Sequence, residues 1–178
     1  INYGEFSIKK RSSLYEITRT ISKPSNVYYE LTVIDGWQNY QMDELIERKF
    51  NSKNNIQYAE VLADTYNYQS HNSYIDIYNF MKKSKENFFN QHLSNKLFNK
   101  FNQNEIMTIS SLVEKEGINS EDKRLISSVI FNRLENRMKL QIDASTIFSI
   151  TKGKYKFDRK LSFNDLIVED QYNTYYIK

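Results

Sequence analysis

Apolar residues recur along this chain mostly at helical spacing, and the breaks between the periodic runs mark out its elements. Leu14, Ile17 and Ile21 share one face of a helix that Ser12 or Ser13 can cap and that stops before Pro24. Ahead of it, Glu5 to Lys9 reads as a short strand. After the turn Lys23-Pro24-Ser25-Asn26, the β-branched and aromatic stretch Val27 to Ile34 reads as a second strand, closed by Asp35-Gly36. Asn39 is placed to open a helix holding Met42, Leu45 and Ile46. A polar, linker-like run from Asn51 to Asn55 follows, then a partly extended segment through Ala63-Asp64-Thr65-Tyr66. The next pattern predicts a long helix from about Tyr74 to Phe101, with Ile77, Phe80, Met81, Phe88 and Leu97 as its apolar positions.

The later half is punctuated more sharply. Asn102 and Glu105 have the spacing of a capping box and introduce Ile106, Ile109, Leu112 and Val113 as a helix face that Gly117 should end. Ser120 can cap the next helix, with Glu121 and Asp122 well placed in its first turn and Leu125, Ile126, Val129, Ile130 and Leu134 expected to be buried. The two helices then form a hairpin around Glu116 to Ser120. The predicted class is α+β: a small α/β unit over residues 1–50 and a mainly helical domain over residues 51–178. The first unit is too small to bury much core unless it docks on something else.

Composition narrows the function. With 39% hydrophobic and 26% charged residues the chain is globular, and 178 residues fit one ordinary domain or two small ones. Lys and Arg exceed Asp and Glu by only 25 to 22, too slight a balance for a nucleic-acid partner. There is no cysteine, hence neither a disulfide framework nor a thiolate metal site. Four scattered glycines leave no Gly-rich loop to cradle a phosphate. His71 and His92 have no neighbours at ligand spacing, so neither a metal nor a cofactor is expected.

The candidate chemistry lies at the hairpin. A carboxylate in the last turn of a helix faces the negative end of the macrodipole, worth about 0.3–1 kcal/mol against its charged form. Glu116 is therefore expected to hold its proton well, and desolvation under a bound sugar would act in the same sense, as a general acid for glycosidic cleavage requires. The plainer alternative is that Glu114, Lys115, Glu116 and Lys123 form a solvated charged face.

Four ordered blocks weigh against that alternative: Leu112-Val113-Glu114-Lys115-Glu116, Phe131-Asn132-Arg133-Leu134, Met138-Lys139-Leu140-Gln141-Ile142-Asp143 and Tyr172-Asn173-Thr174-Tyr175. In this order they resemble the I-V-E-K-E-T, N-R-L, M-x-L-Q-x-D-P-T and Y-N-T-Y blocks of the YceG-like (MltG) endolytic murein transglycosylases. More faintly, Tyr3-Gly4-Glu5-Phe6 and Val33-Ile34-Asp35-Gly36 resemble parts of that family's LysM-like unit, and Ala63-Asp64-Thr65-Tyr66 its P-D-T-Y.

The resemblance implies that residues 1–50 are a partial LysM-like unit and residues 51–178 a YceG-like catalytic domain, with further chain after Y-N-T-Y and an N-terminal membrane anchor beyond this sequence. It implies a membrane-anchored enzyme whose catalytic part lies outside the cytoplasm, acting on peptidoglycan glycan strands with wall-synthesis enzymes as possible partners. Glu116 takes the place of the family's catalytic Glu, acting as acid and then as base, while Glu114 is expected to be structural.

Asp143 admits two readings, a second catalytic carboxylate or the cap of the helix that holds Ser145, Ile147 and Phe148; the cap is favoured. Gln141 can bond either substrate or backbone. Asn132 and Arg133 are read as holding the hairpin. Tyr172, Asn173 and Tyr175 have side chains that stack on and bond to sugars, though core packing claims them equally. Gly117, Ala144, Ile142 and Ala63 depart from the family's Thr, Pro, Thr and Pro. Two other functions compete with the enzyme: a non-catalytic peptidoglycan-binding or scaffold protein of the same fold, and a muramidase that hydrolyses with water.

Overall fold

Ser13 begins the first helix, α1 (Leu14–Ile21): its hydroxyl accepts the Glu16 N–H at 3.3 Å while the Glu16 carboxylate accepts the Ser13 N–H at 2.7 Å. The computed structural model describes residues 3–52 and 58–177. No residue of α1 is buried. Glu5 to Lys9, expected as a strand, is irregular. It is clipped to residues 25–29 through side chains, with Asn26 exchanging two bonds with the Ser7 backbone and Ser25 donating to the Glu5 carbonyl.

The sheet forms instead between β1 (Tyr29–Thr32) and β2 (Thr65–Tyr68), antiparallel, with Tyr29 opposite Tyr68 and Thr32 opposite Thr65. The expected strand Val27–Ile34 is trimmed at both ends to the residues that find a ladder partner. Between the strands in sequence lies α2 (Asn39–Phe50), which opens at Asn39 as expected, with Gln38 in the cap position. Asn51 ends it at φ 48; the remainder of the linker-like run, from residue 53, lies outside the described residues.

One hydrophobic cluster binds these elements: Leu31 of β1 and Val33 just after it, Met42, Leu45 and Ile46 of α2, Val61, Tyr66 of β2, and Ile77 and Met81 of α3 (Tyr74–Gln91). It crosses the boundary drawn at residue 50. Burial pushes the Tyr66 hydroxyl up to about 12, and that hydroxyl donates to the Leu62 carbonyl.

The long helix expected to reach Phe101 stops at Gln91. A His92 ring nitrogen bonds to the Phe88 carbonyl at 2.7 Å, and Asn95 accepts the Leu97 N–H to cap a separate 3-10 turn, Lys96–Asn99. Such side-chain bonds offer the backbone an alternative to continued helix. Register along α3 also differs from expectation, because Phe80 and Phe88 are exposed while Phe89 is buried edge-on against Phe98.

The second half is a helical hairpin, α4 (Gln103–Glu116) and α5 (Ser120–Glu135), followed by α6 (Asp143–Thr151) and a short α7 (Phe163–Leu166). The Asn102–Glu105 capping box is present. Asn119, not Ser120, caps α5, its side-chain Oδ1 accepting from the Glu121 and Asp122 N–H groups at 3.0 Å each. Of the five α5 positions expected to be buried only Ile130 is; Leu125, Val129 and Leu134 are exposed. α6 turns hydroxyls inward rather than Ile147 and Phe148: Ser145, Thr146, Ser149 and Thr151 are its buried residues.

The two halves meet at the turn leading into α2. Gly36, at φ +73, leaves room only for contact, since a Cβ there would lie 3.4 Å from Glu114 Cγ and 3.5 Å from Lys115 Cε. Four residues on, the Tyr40 N–H donates to the Gly153 carbonyl at 3.0 Å, just beyond α6. No helix among the described residues is long and apolar enough to cross a membrane.

Candidate active site

Glu116 is the last residue of α4 and its side chain is exposed. The helix ends there because Gly117 leaves helical backbone, at φ −91 and ψ 132, after donating its N–H to the Val113 carbonyl. Glu114, two residues earlier, faces the partner helix and is bridged by Lys123 at 2.5 Å, each side chain about a third exposed. The two carboxylates are thus separated in kind: Glu114 is tied across the hairpin, while Glu116 stands at its tip.

Gly117 is required for close approach rather than for an unusual dihedral. A Cβ there would lie 2.5 Å from Lys123 Cγ and 3.2 Å from the Lys123 backbone. The Thr of the resembling blocks has no room at this position. Gly117→Ala is expected to cost about 1–3 kcal/mol by overpacking the hairpin, read as a lowered urea midpoint with the slope unchanged.

The block ending in Asp143 and the Tyr172–Tyr175 turn are sewn together beside this tip. Gln141, exposed and at φ 54, donates its N–H to the Thr174 carbonyl; the Ile142 N–H donates to the Thr174 hydroxyl, and the Thr174 N–H to the Ser145 hydroxyl. Arg133 donates to the carbonyls of Lys139 and Leu140, and Lys139 Nζ donates to the Tyr175 carbonyl at 3.0 Å.

Asp143 is the first residue of α6, with Ile142 in the cap position, so it does not cap that helix as expected. Its carboxylate instead accepts the Tyr175 hydroxyl at 2.7 Å. That bond is the main cause of a raised Tyr175 hydroxyl. Burial and the charges of Asp143 and Glu116 add to it, and Arg133 opposes them. Asp143, Glu116 and Arg133 thus all act on the Tyr175 hydroxyl.

Tyr172 and Asn173, in the same turn, have other partners. The Tyr172 ring packs edge-on to Phe148 at 5.0 Å, with Lys152 Nζ 4.7 Å from its centroid. Lys152 also bonds to Asp170, which holds that carboxyl below its ordinary range together with the Tyr172 N–H. Asn173 is at 0% exposure: its amide donates to the Leu166 and Val168 carbonyls and accepts from the Thr146 hydroxyl and the Tyr175 N–H. Every polar atom of that side chain is engaged inside the fold. The inward hydroxyls of α6 were not anticipated; their only sequence signal is the recurrence of Ser145, Thr146 and Ser149 at helical spacing.

A mostly helical fold with a two-stranded sheet has a known counterpart. The chain superposes on the crystal structure of a yceG-like protein from Listeria monocytogenes with a TM-score of 0.69, covering 98% of this chain and 68% of that one; at 18% identity the likeness speaks for the fold. The YceG-like family model matches residues 1–178, and the chain belongs to that family. Curated relatives point the same way. The endolytic murein transglycosylase of Bacillus subtilis (strain 168) is 35% identical over 100 residues, 56% of this chain and 27% of that protein. That of Streptococcus pneumoniae serotype 2 (strain D39) is 39% identical over 75 residues, 40% of this chain and 13% of that protein. The chain thus spans about a quarter or less of the length of these relatives.

Proposed function

We propose that this chain carries the catalytic carboxylate of an endolytic peptidoglycan lytic transglycosylase, with Glu116 as acid and then base. The observation that carries the reading is the position of Glu116: free of the Glu114–Lys123 pair, exposed at the hairpin tip, and electrostatically linked to Tyr175. Membership of the YceG-like family supports it.

The chemistry needs one carboxyl. Glu116 gives its proton to the oxygen joining N-acetylmuramic acid to N-acetylglucosamine, and the bond from that oxygen to the muramoyl C1 breaks. The muramoyl C6 hydroxyl then bonds to C1, its proton passes to the Glu116 carboxylate, and a 1,6-anhydro end results without water. Serving both steps with one group is ordinary acid–base economy. Asp143 bonds Tyr175 rather than standing as an unattached nucleophile, which favours this route over a two-carboxylate hydrolysis.

Tyr175 feels the charge of Glu116 and bonds to Asp143; these two, with Gln141 and with Tyr172 of the same turn, are the proposed glycan contacts. Asn173 is assigned to holding the turn that presents them. The sheet with α2 between its strands is consistent with a LysM-like unit. The protein would act on nascent strands outside the cytoplasm, held by a membrane anchor and beside wall-synthesis enzymes.

Mass analysis of glycan strands digested by the full-length protein tests the reading. Products ending in anhydro-muramoyl groups, lighter by one water than reducing ends, are expected. Reducing ends would mean a muramidase, and intact strands that remain bound would mean a non-catalytic peptidoglycan-binding protein.

A further inference from the structure

The charge of this chain is unevenly placed. Residues 1–28 hold five basic side chains, Lys9, Lys10, Arg11, Arg19 and Lys23, against two acidic ones, Glu5 and Glu16; the whole chain holds 25 against 22, so the rest is balanced at 20 of each. Both acids in the segment are already engaged, Glu16 with the Ser13 cap and Glu5 with the Tyr29 hydroxyl. None of the five cations forms an ion pair among the described residues.

Three of the cations occupy the turn just before α1. The turn is closed by the Ser12 N–H and hydroxyl, both donating to the Lys9 carbonyl, with Arg11 at φ 68. Immediately after it come Leu14, 77% exposed, and Tyr15, 72% exposed, with Arg19 one helical turn beyond Tyr15. α1 has no fully buried residue, only Ile17, Thr20 and Ile21 being half-buried, and the segment before it is fixed by the Ser7–Asn26 and Ser25–Glu5 bonds. Two exposed apolar side chains thus stand beside cations that form no ion pair among the described residues.

We propose that this segment docks on the surface of an anionic lipid bilayer, with Lys9, Lys10, Arg11 and Arg19 over the headgroups and Leu14 and Tyr15 entering the interface. A dissolved polyanion would use the cations and leave the tip in water. A bilayer uses both, since aliphatic side chains enter the acyl boundary, tyrosine favours the headgroup level and basic residues are drawn to anionic lipid. The inference is independent of the role assigned to Glu116, because it is read from binding alone.

The test is co-sedimentation of the chain with phosphatidylglycerol vesicles and with phosphatidylcholine vesicles. Binding to the first and not to the second is expected, weakening as salt is raised. The variant Lys9→Glu, Lys10→Glu, Arg11→Glu should bind at least about a hundredfold more weakly, from roughly fivefold per cation lost. The variant Leu14→Ser, Tyr15→Ser should also bind more weakly while keeping the salt dependence. Both change exposed residues, so their circular dichroism should match the parent. Failure to bind phosphatidylglycerol, or undiminished binding by the charge-reversed variant, overturns the proposal. Undiminished binding by the Ser variant also overturns it and makes the segment a polyanion contact.

Discussion

Replacing Glu116 with Gln should stop strand cleavage, lowering turnover by at least about 10²–10⁴-fold, the usual worth of a positioned acid or base. Gln has the same shape but can neither give up a proton to the glycosidic oxygen nor take one from the C6 hydroxyl, so both halves of the reaction lose their agent. The side chain is exposed and is not part of the Glu114–Lys123 bridge, so the variant should fold as the parent does. Binding of uncleaved glycan should persist. Anhydro products released by Glu116→Gln at the parent's rate would remove Glu116 from the mechanism. The matching change Asp143→Asn should leave any products anhydro, since it removes a partner of Tyr175 and not the proton carrier.

The largest loss of stability is expected at Asn173. Its Ala variant strips partners from two carbonyls, a hydroxyl and an N–H at a site with no access to water. Buried groups left unsatisfied cost about 1–3 kcal/mol each, and some relaxation will occur, so a total of about 3–5 kcal/mol is expected. Urea denaturation measures it. A loss below about 1 kcal/mol would mean that the four bonds are not the scaffold of the Tyr172–Tyr175 turn.

Those two residues also illustrate what was legible in the sequence. Position and spacing sufficed for Glu116: a capping box at Asn102, a periodic apolar face and a terminal glycine define a helix whose last residue is that carboxylate, and the helix ends there. They were not sufficient for Asn173, because an Asn beside tyrosines reads equally as a sugar ligand or as a buried clasp. Only the location of the Leu166 and Val168 carbonyls, a tertiary fact, decides.

The same limit explains the strands and caps. Glu5 to Lys9 has extended-chain composition, but the ladder partner of β1 turned out to be β2, more than thirty residues later. Asn119 and Ser120 are both competent caps, and local sequence does not rank them. The α5 face was overdrawn for a different reason: apolar spacing marks a face able to be buried, while burial itself depends on a neighbour, which among the described residues only Ile130 fully finds.

The seam at the entrance to α2 has a mechanical consequence. A Cβ at Gly36 would only just reach the Glu114 and Lys115 side chains, so the glycine itself stops short of them, and Tyr40 is tied to Gly153 by a single backbone hydrogen bond. The missing methyl leaves slack in one direction, and one hydrogen bond gives way softly in the other. At this point of the seam the turn can therefore shift slightly toward or away from the final turn of α4 without meeting a steric wall.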